Sequence, residues 1–307
     1  MTTERTSTEP VPAESTPESS SVPFRPRRSV LFLPASNPRA LAKAHDLPAD
    51  VVILDLEDAV APPAKPAARE AACAAVVAGG FRANEIVIRC NALDTPWGAD
   101  DLAAAAAAAP DAVVVPKVSG PADLDPIREA LDRAGAGSVA IWPMIETPAA
   151  VSSARAIAAS GGIGALVVGT NDLAKELRVR LRPGRGGLVP HLAAILLAGR
   201  QAGTDVLDGV WNDIRDLEGL AAECLQGVEL GFDGKTLIHP GQIEIANRHW
   251  APTDDEIAHA ERVIAAFEEA IGAGRGVITV DGRLVENLHV ENARRTLATA
   301  TAIRSLG

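Results

Sequence analysis

The chain has 307 residues, 47% of them hydrophobic and 22% charged, which supplies one large soluble core and no apolar run long enough to cross a bilayer. Its formal net charge of −11 argues against nucleic-acid binding, which needs a basic face to displace counterions, although local arginines and lysines can still hold a small anion. Three cysteines, Cys73, Cys90 and Cys224, are odd in number, far apart and set among apolar residues, a usage that predicts reduced, buried thiols and a cytoplasmic protein.

Residues 1–26 are rich in Ser, Thr, Pro and Glu and nearly free of apolar side chains. Such a stretch cannot offset its ordering entropy by burial, and it reads as a disordered tail without the apolar core of a secretory signal. Eight segments then repeat one pattern, aliphatic first and polar last, over 29–34, 51–60, 86–91, 112–117, 139–146, 165–172, 206–213 and 234–239. The second is the most informative, because Asp55, Glu57 and Asp58 are crowded where a buried strand ends. Carboxylates packed that closely need a counter-cation, either lysines and arginines or a hard metal ion. The other segments deliver Arg89 and Asn91, Lys117, Glu146, Asp172, Asp213 and His239 at their ends.

Helix-compatible stretches over 38–45, 65–78, 99–109, 121–134, 148–160, 189–202 and 216–225 separate these segments. Strand and helix alternating eight times over roughly 250 residues is the pattern of an α/β (β/α)8 TIM barrel, whose reactive residues sit on the loops after the strands. A doubly wound sheet is the competitor, and it usually carries a glycine-rich phosphate loop after an early strand; no GxGxxG or Walker sequence occurs here. The barrel domain is assigned to residues 27–250. A C-terminal extension, 251–307, opens on the capping box Thr253-Asp-Asp-Glu256, whose helix runs to about residue 271 with Ile257, Ala260, Val263, Ile264 and Phe267 as its apolar stripe. A hairpin over 277–286, turning at Asp281-Gly282, and a last helix complete a helix–hairpin–helix unit that could pack on its own barrel or cover a neighbour's active site.

Read from the residues alone, Glu146 and Asp172 could be helix caps, and Arg89 and Lys117 could be counter-ions for the Asp55 to Asp58 acids. His239 reads as a hydrogen-bonded structural histidine. The blocks Arg28-Ser-Val-Leu-Phe-Leu-Pro34, Asp55-Leu-Glu-Asp-Ala-Val60 with Lys65 and Arg69, Arg89-Cys-Asn91 with Thr95-Pro-Trp97, Pro116-Lys117, Ile145-Glu-Thr147, Gly169-Thr-Asn-Asp172, Gly231-Phe-Asp-Gly-Lys235 and Ile238-His-Pro240 add a family signature. In order and spacing the chain resembles the citrate lyase β-subunit-like group of the HpcH/HpaI aldolase superfamily, which includes malyl-CoA and citramalyl-CoA lyases.

That resemblance implies a lyase that breaks or makes a carbon–carbon bond next to a CoA thioester, with a small 2-oxo acid as the other partner. It implies Glu146 and Asp172 as ligands of Mg2+, with Mn2+ as the alternative, and hard oxygen donors without a Cys or His cluster suit either ion. Arg89 would stabilise oxyanion charge, while Asp55, Glu57 and Asp58 would form a second layer holding water, their charge balanced by Lys65 and Arg69. The acid–base residue of such lyases follows a terminal hairpin in the pattern Asp-Gly-x-Met-Val-Asp and reaches an adjacent subunit of a homo-oligomer, a trimer or hexamer. Here that stretch reads Asp281-Gly-Arg-Leu-Val-Glu286, so Glu286 carries the carboxylate one methylene further out. The same site could instead hydrolyse the thioester, condense acetyl-CoA with glyoxylate as a malate synthase does, or act on a carrier-bound citryl group. A non-catalytic subunit that binds metal and CoA is the reading of a different class.

Overall fold

The computed structural model describes residues 25–272 and 278–306, so most of the predicted tail and Val277 of the predicted hairpin lie outside the described residues. Eight strands, β1 (Ser29–Pro34), β2 (Val51–Asp55), β3 (Glu85–Arg89), β4 (Ala112–Val115), β5 (Ala140–Ile145), β6 (Ala165–Val168), β7 (Asp205–Asp208) and β8 (Gly234–Leu237), close into a barrel. Every pairing is parallel, and β8 returns to pair with β1. Around it run α1 (Pro38–Ala44), α2 (Lys65–Ala78), α3 (Gly98–Ala108), α4 (Asp125–Arg133), α5 (Pro148–Ala158), α6 (Thr170–Glu176), α7 (Val189–Ala202), α8 (Leu217–Leu230) and α9 (Ile243–His249). The predicted TIM barrel is therefore the observed fold.

Strand parity sorts the core into two layers. Val30, Val51, Ile53, Val87, Val114, Trp142, Met144, Val167 and Leu207 pack together inside the barrel. Their sequence neighbours Leu31, Val52, Leu54, Ile88, Val113, Ile145, Leu166 and Val206 join the larger cluster between barrel and helices. Successive strand residues point to opposite faces, so two further steps along the inward row bring Asp55, Arg89, Glu146 and Gly169 to the carboxyl-end mouth. The opposite end is closed by Arg27. Its guanidinium donates to Glu85 at 2.7 and 2.8 Å, to Asp205 at 2.9 Å and to the Gly164 carbonyl at 2.7 Å, and it lies 4.8 Å from the centre of the Trp142 ring.

The extension comprises α10 (Asp254–Gly272), the antiparallel pair β9 (Ile278–Val280) and β10 (Arg283–Val285), and α11 (Asn287–Arg304). Thr253 and Glu256 exchange backbone-to-side-chain hydrogen bonds at 2.8 and 3.2 Å, the capping box read from the sequence. Asp281 and Gly282 both take positive φ, 51° and 77°, which a two-residue hairpin turn demands. Ala260, Val263, Phe267, Val280, Val285 and Val290 form a small core of their own. At its far end α11 lies by the closed face of the barrel, where Ile303 shares a recess with Arg28 and Asp50.

All three cysteines are free thiols, with Cys90 and Cys224 buried and Cys73 half-buried. Among the described residues no helix is long and apolar enough to cross a membrane.

Candidate active site

A cavity of about 340 Å³ opens at the carboxyl ends of the strands, lined by Phe32, Asp55, Asp58, Arg89, Met144, Glu146, Gly169 and Asp172, among others. Arg89 organises one wall. It leaves β3 beside β2, so its Nε and Nη2 reach both oxygens of Asp55 at 2.6 and 2.7 Å. Its Nη1 lies 2.8 Å from Glu57 and 3.5 Å from Asp58, and the guanidinium stacks 4.6 Å above the Phe32 ring. Asp55 also accepts the backbone N–H groups of Glu57 at 2.9 Å and Ala59 at 3.2 Å, so the strand exit turns back on its own carboxylate. Glu57 stands behind Arg89. Burial, reinforced by Asp58, Glu146 and Asp55 and only partly offset by Arg89, pushes its carboxyl up to about 7.

Glu146 and Asp172 form the other wall. Glu146 follows β5 directly, is 3% exposed, and accepts the Lys117 backbone N–H at 2.8 Å. Burial raises its carboxyl above the ordinary value, while Lys117 pulls the other way. Asp172 comes from the first turn of α6, one strand further round. The Lys117 ammonium lies 3.2 Å from Glu146 and hydrogen-bonds Asp172, so the two carboxylates face one cationic position. Gly169 permits this approach, since a Cβ there would stand 2.4 Å from the Glu146 Cβ and 2.6 Å from its Oε2.

Oxygen-only donors that converge on one positive charge fit a hard divalent ion with open coordination positions. Among the described residues no group of three or more His, Cys, Asp or Glu is arranged to hold a metal, so two protein carboxylates are what the site offers.

Several predicted neighbours do something else. Lys65 does not pair with the Glu57 or Asp58 carboxylates; its ammonium donates to the backbone carbonyls of Leu56 and Glu57 at 2.9 and 2.8 Å and to Asn91 at 2.6 Å. Arg69 binds Asp101 at 2.6 Å, and Asp101 in turn accepts the Asn91 N–H at 3.0 Å. Together they brace the backbone of the acidic turn without neutralising its side chains, because α2 reaches that turn from behind. Lys117 serves Glu146 and Asp172, not the Asp55 to Asp58 acids, since β4 exits beside β5 and away from β2. Asp213 lies beyond β7 in a loop, where it accepts the Arg215 N–H at 3.0 Å. His239 accepts the Gly241 N–H at 3.0 Å and closes a turn, the structural part expected of it. Glu286 is exposed at the start of α11 and is not among the residues lining its own chain's cavity.

Sequence reasoning missed the rim pair Asn171 and Asn212, whose side-chain amides exchange hydrogen bonds at 2.7 and 3.1 Å. An asparagine in the first turn of α6 and another in the loop after β7 carry no periodic signal. It also missed the buried set under β7 and β8, in which Lys235, fully buried, binds Asp208 at 3.0 Å and Glu223 at 2.8 Å while Arg185 binds Asp208 at 2.6 Å.

Comparisons with known proteins bear on this site. A profile of the HpcH/HpaI aldolase/citrate lyase family matches residues 28–240. The chain is 46% identical over 282 residues to a (3S)-malyl-CoA thioesterase of Cereibacter sphaeroides, covering 92% of this chain and 97% of that one. It is 36% identical over 283 residues to the citrate lyase subunit beta of Escherichia coli K12, covering 90% and 94%. Among solved structures, CitE of Mycobacterium tuberculosis in complex with magnesium, acetoacetate and coenzyme A is similar with a TM-score of 0.73 and 32% identity, covering 89% of this chain and 97% of that one.

Proposed function

This chain belongs to the HpcH/HpaI aldolase/citrate lyase family, and we propose that it is a Mg2+-dependent enzyme that cleaves, or in reverse forms, a hydroxyacyl-CoA such as malyl-CoA or citramalyl-CoA, yielding acetyl-CoA and a 2-oxo acid. The observation that carries this reading is the pair Glu146 and Asp172 facing one cationic position across a cavity from the Arg89 guanidinium. The bound magnesium of the similar CitE structure supports the choice of ion.

Glu146 and Asp172 would hold the ion, whose chemistry is Lewis-acid stabilisation of negative charge on the substrate's hydroxyl and carboxylate oxygens. The protein's own groups do the rest. Arg89, gripped by both oxygens of Asp55, cannot turn away from the cavity and meets the oxyanion that develops as the carbon–carbon bond breaks; loss of such a donor costs about 10²-fold or more in rate. Glu57 holds Arg89 from behind, and Lys65 fixes the backbone that carries Glu57. The mouth walls, Phe32 and Met144, exclude water from the reacting atoms. Proton transfer falls to Glu286 of a neighbouring subunit in a trimer or hexamer, a reading supported by its exposure and by its not lining its own chain's cavity.

Thioester hydrolysis is the second reading, favoured by the relatives called (3S)-malyl-CoA thioesterase at 46 to 48% identity. Incubation with malyl-CoA or citramalyl-CoA and Mg2+ separates the two. Keto acid without free thiol means carbon–carbon cleavage; free thiol without keto acid means hydrolysis; neither product overturns the proposal. Glu146→Gln and Asp172→Asn each abolish Mg2+ binding in calorimetry while circular dichroism stays unchanged. Unaltered Mg2+ affinity in both variants would rule out the metal assignment.

A further inference from the structure

Lys117 is built into the site more elaborately than a surface lysine requires. It follows Pro116 at the exit of β4 with φ of 60°, a left-handed conformation that a non-glycine residue adopts at a cost. That backbone lets one residue make two contacts with the same partner, the N–H donating to Glu146 at 2.8 Å and the ammonium lying 3.2 Å from it. The ammonium also bonds Asp172, and so occupies the position the two carboxylates share.

The Lys117 side chain is 42% exposed, so it is not locked there by packing. On its other side lies a second cavity of about 360 Å³, also lined by Lys117 and carrying two further carboxylates, Asp94 and Asp123. Asp94 is exposed and makes no salt bridge among the described residues; Asp123 accepts the N–H groups of Ser119 at 2.7 Å and Gly120 at 3.0 Å, which fixes its carboxyl group beside the Lys117 turn.

A divalent ion and an ammonium cannot share the gap between Glu146 and Asp172. Resting on the metal reading of that pair, we propose that Lys117 is its internal counter-cation, which a divalent ion must displace, and that the displaced ammonium turns into the cavity beside Asp94 and Asp123. In the metal-free protein the lysine holds the two carboxylates aimed at one position, so the metal meets preorganised ligands. The same contact is a competitor that weakens metal binding. Lysine suits this part and arginine does not, because its charge sits at the tip of a four-carbon stem free to rotate, without a planar fork that would lock both carboxylates.

Two measurements test this. Calorimetric Mg2+ titration compares the wild type with Lys117→Met, which keeps the stem, and with Glu146→Gln. Removing the competitor tightens Mg2+ binding by about fivefold, the scale of one partly exposed ion pair. Separately, the wild type is labelled with an amine-reactive reagent, and the modification at Lys117 is read by mass spectrometry with and without Mg2+. Labelling at Lys117 rises when Mg2+ is added and does not rise in Glu146→Gln. If Glu146→Gln loses Mg2+ binding but Lys117→Met binds no more tightly than the wild type, the lysine positions the ligands without competing and the proposal is overturned while the metal reading stands. Unchanged Lys117 labelling overturns it equally, and needs no variant that might misfold. If Glu146→Gln binds Mg2+ as the wild type does, the metal reading falls and takes this proposal with it.

Discussion

Gly169 shows how a residue with no side chain can decide the chemistry. It ends the inward row of β6 and passes against Glu146 so closely that any Cβ would overlap both the Cβ and a carboxylate oxygen of that residue. Gly169→Ala should therefore push the Glu146 carboxylate out of line with Asp172 while leaving the barrel folded. The expected outcome is Mg2+ affinity reduced about tenfold or more, since an error of a fraction of an ångström in a ligand is enough, with little change in melting temperature. A variant that binds Mg2+ normally would show that the Glu146 carboxylate need not sit where Gly169 allows it. At this scale the sequence was informative where charge is scarce and misleading where partners compete. Glu146 and Asp172 were visible as the polar ends of apolar runs, but only the family blocks around them marked them as more than helix caps. The partner of Lys117 was not visible, because choosing between two groups of acids depends on which strands are neighbours round the barrel, and that is a property of closure.

Among the elements, strand identity was legible and strand length was not. The run over 165–172 reads as one strand to its aspartate, yet β6 ends at Val168 and Asp172 rides on α6. An apolar stretch followed by polar residues looks the same whether the chain stays extended or turns into a helix, so α6 and α9 were absorbed into their surroundings. The glycine-flanked β8 posed the opposite difficulty, with a lysine in the middle of a buried strand. Lys235 is accommodated because Asp208 from the adjacent β7 and Glu223 from α8 meet its ammonium, and Arg185 completes a fully buried set of two cations and two anions. Burial alone would raise the Asp208 carboxyl, but Lys235 and Arg185 outweigh it and hold it below the ordinary value. A carboxyl depressed in the folded state contributes stability above its unfolded pKa and loses it as pH falls, so this junction should be acid-labile. Lys235→Met leaves Asp208 and Glu223 with one cation between them and should cost about 3 to 5 kcal/mol in urea unfolding at pH 7. The deficit should shrink at acid pH as the stranded carboxyls take up protons. An equal loss at all pH values would mean that packing, not charge, holds β7 to β8.

For the molecule as a whole, the extension poses the sharpest question, because its elements were readable in the sequence and their location was not. Hairpin and helices follow from local rules of capping and turn geometry, whereas nothing in the pattern of 251–307 says which barrel they serve. The fold leaves Glu286 exposed at the start of α11, with Leu284 and Leu288 beside it 56% and 53% exposed. Two such leucines next to a carboxylate that makes no salt bridge among the described residues are what a segment carries when it seats on another surface. If that surface is the mouth of a second copy, a site combines Glu146 and Arg89 of one subunit with the acid of its neighbour. Glu286→Ala and Glu146→Gln should then each be nearly inactive alone, yet recover activity when co-expressed as mixed oligomers. With random mixing in a ring, about a quarter of the sites would pair an intact metal pair with an intact carboxylate, so activity should approach that fraction of wild type. A cis arrangement yields no rescue, since every subunit then carries its own defect. Full activity in Glu286→Ala alone would remove this residue from the chemistry altogether and leave the proton transfer to groups within one barrel.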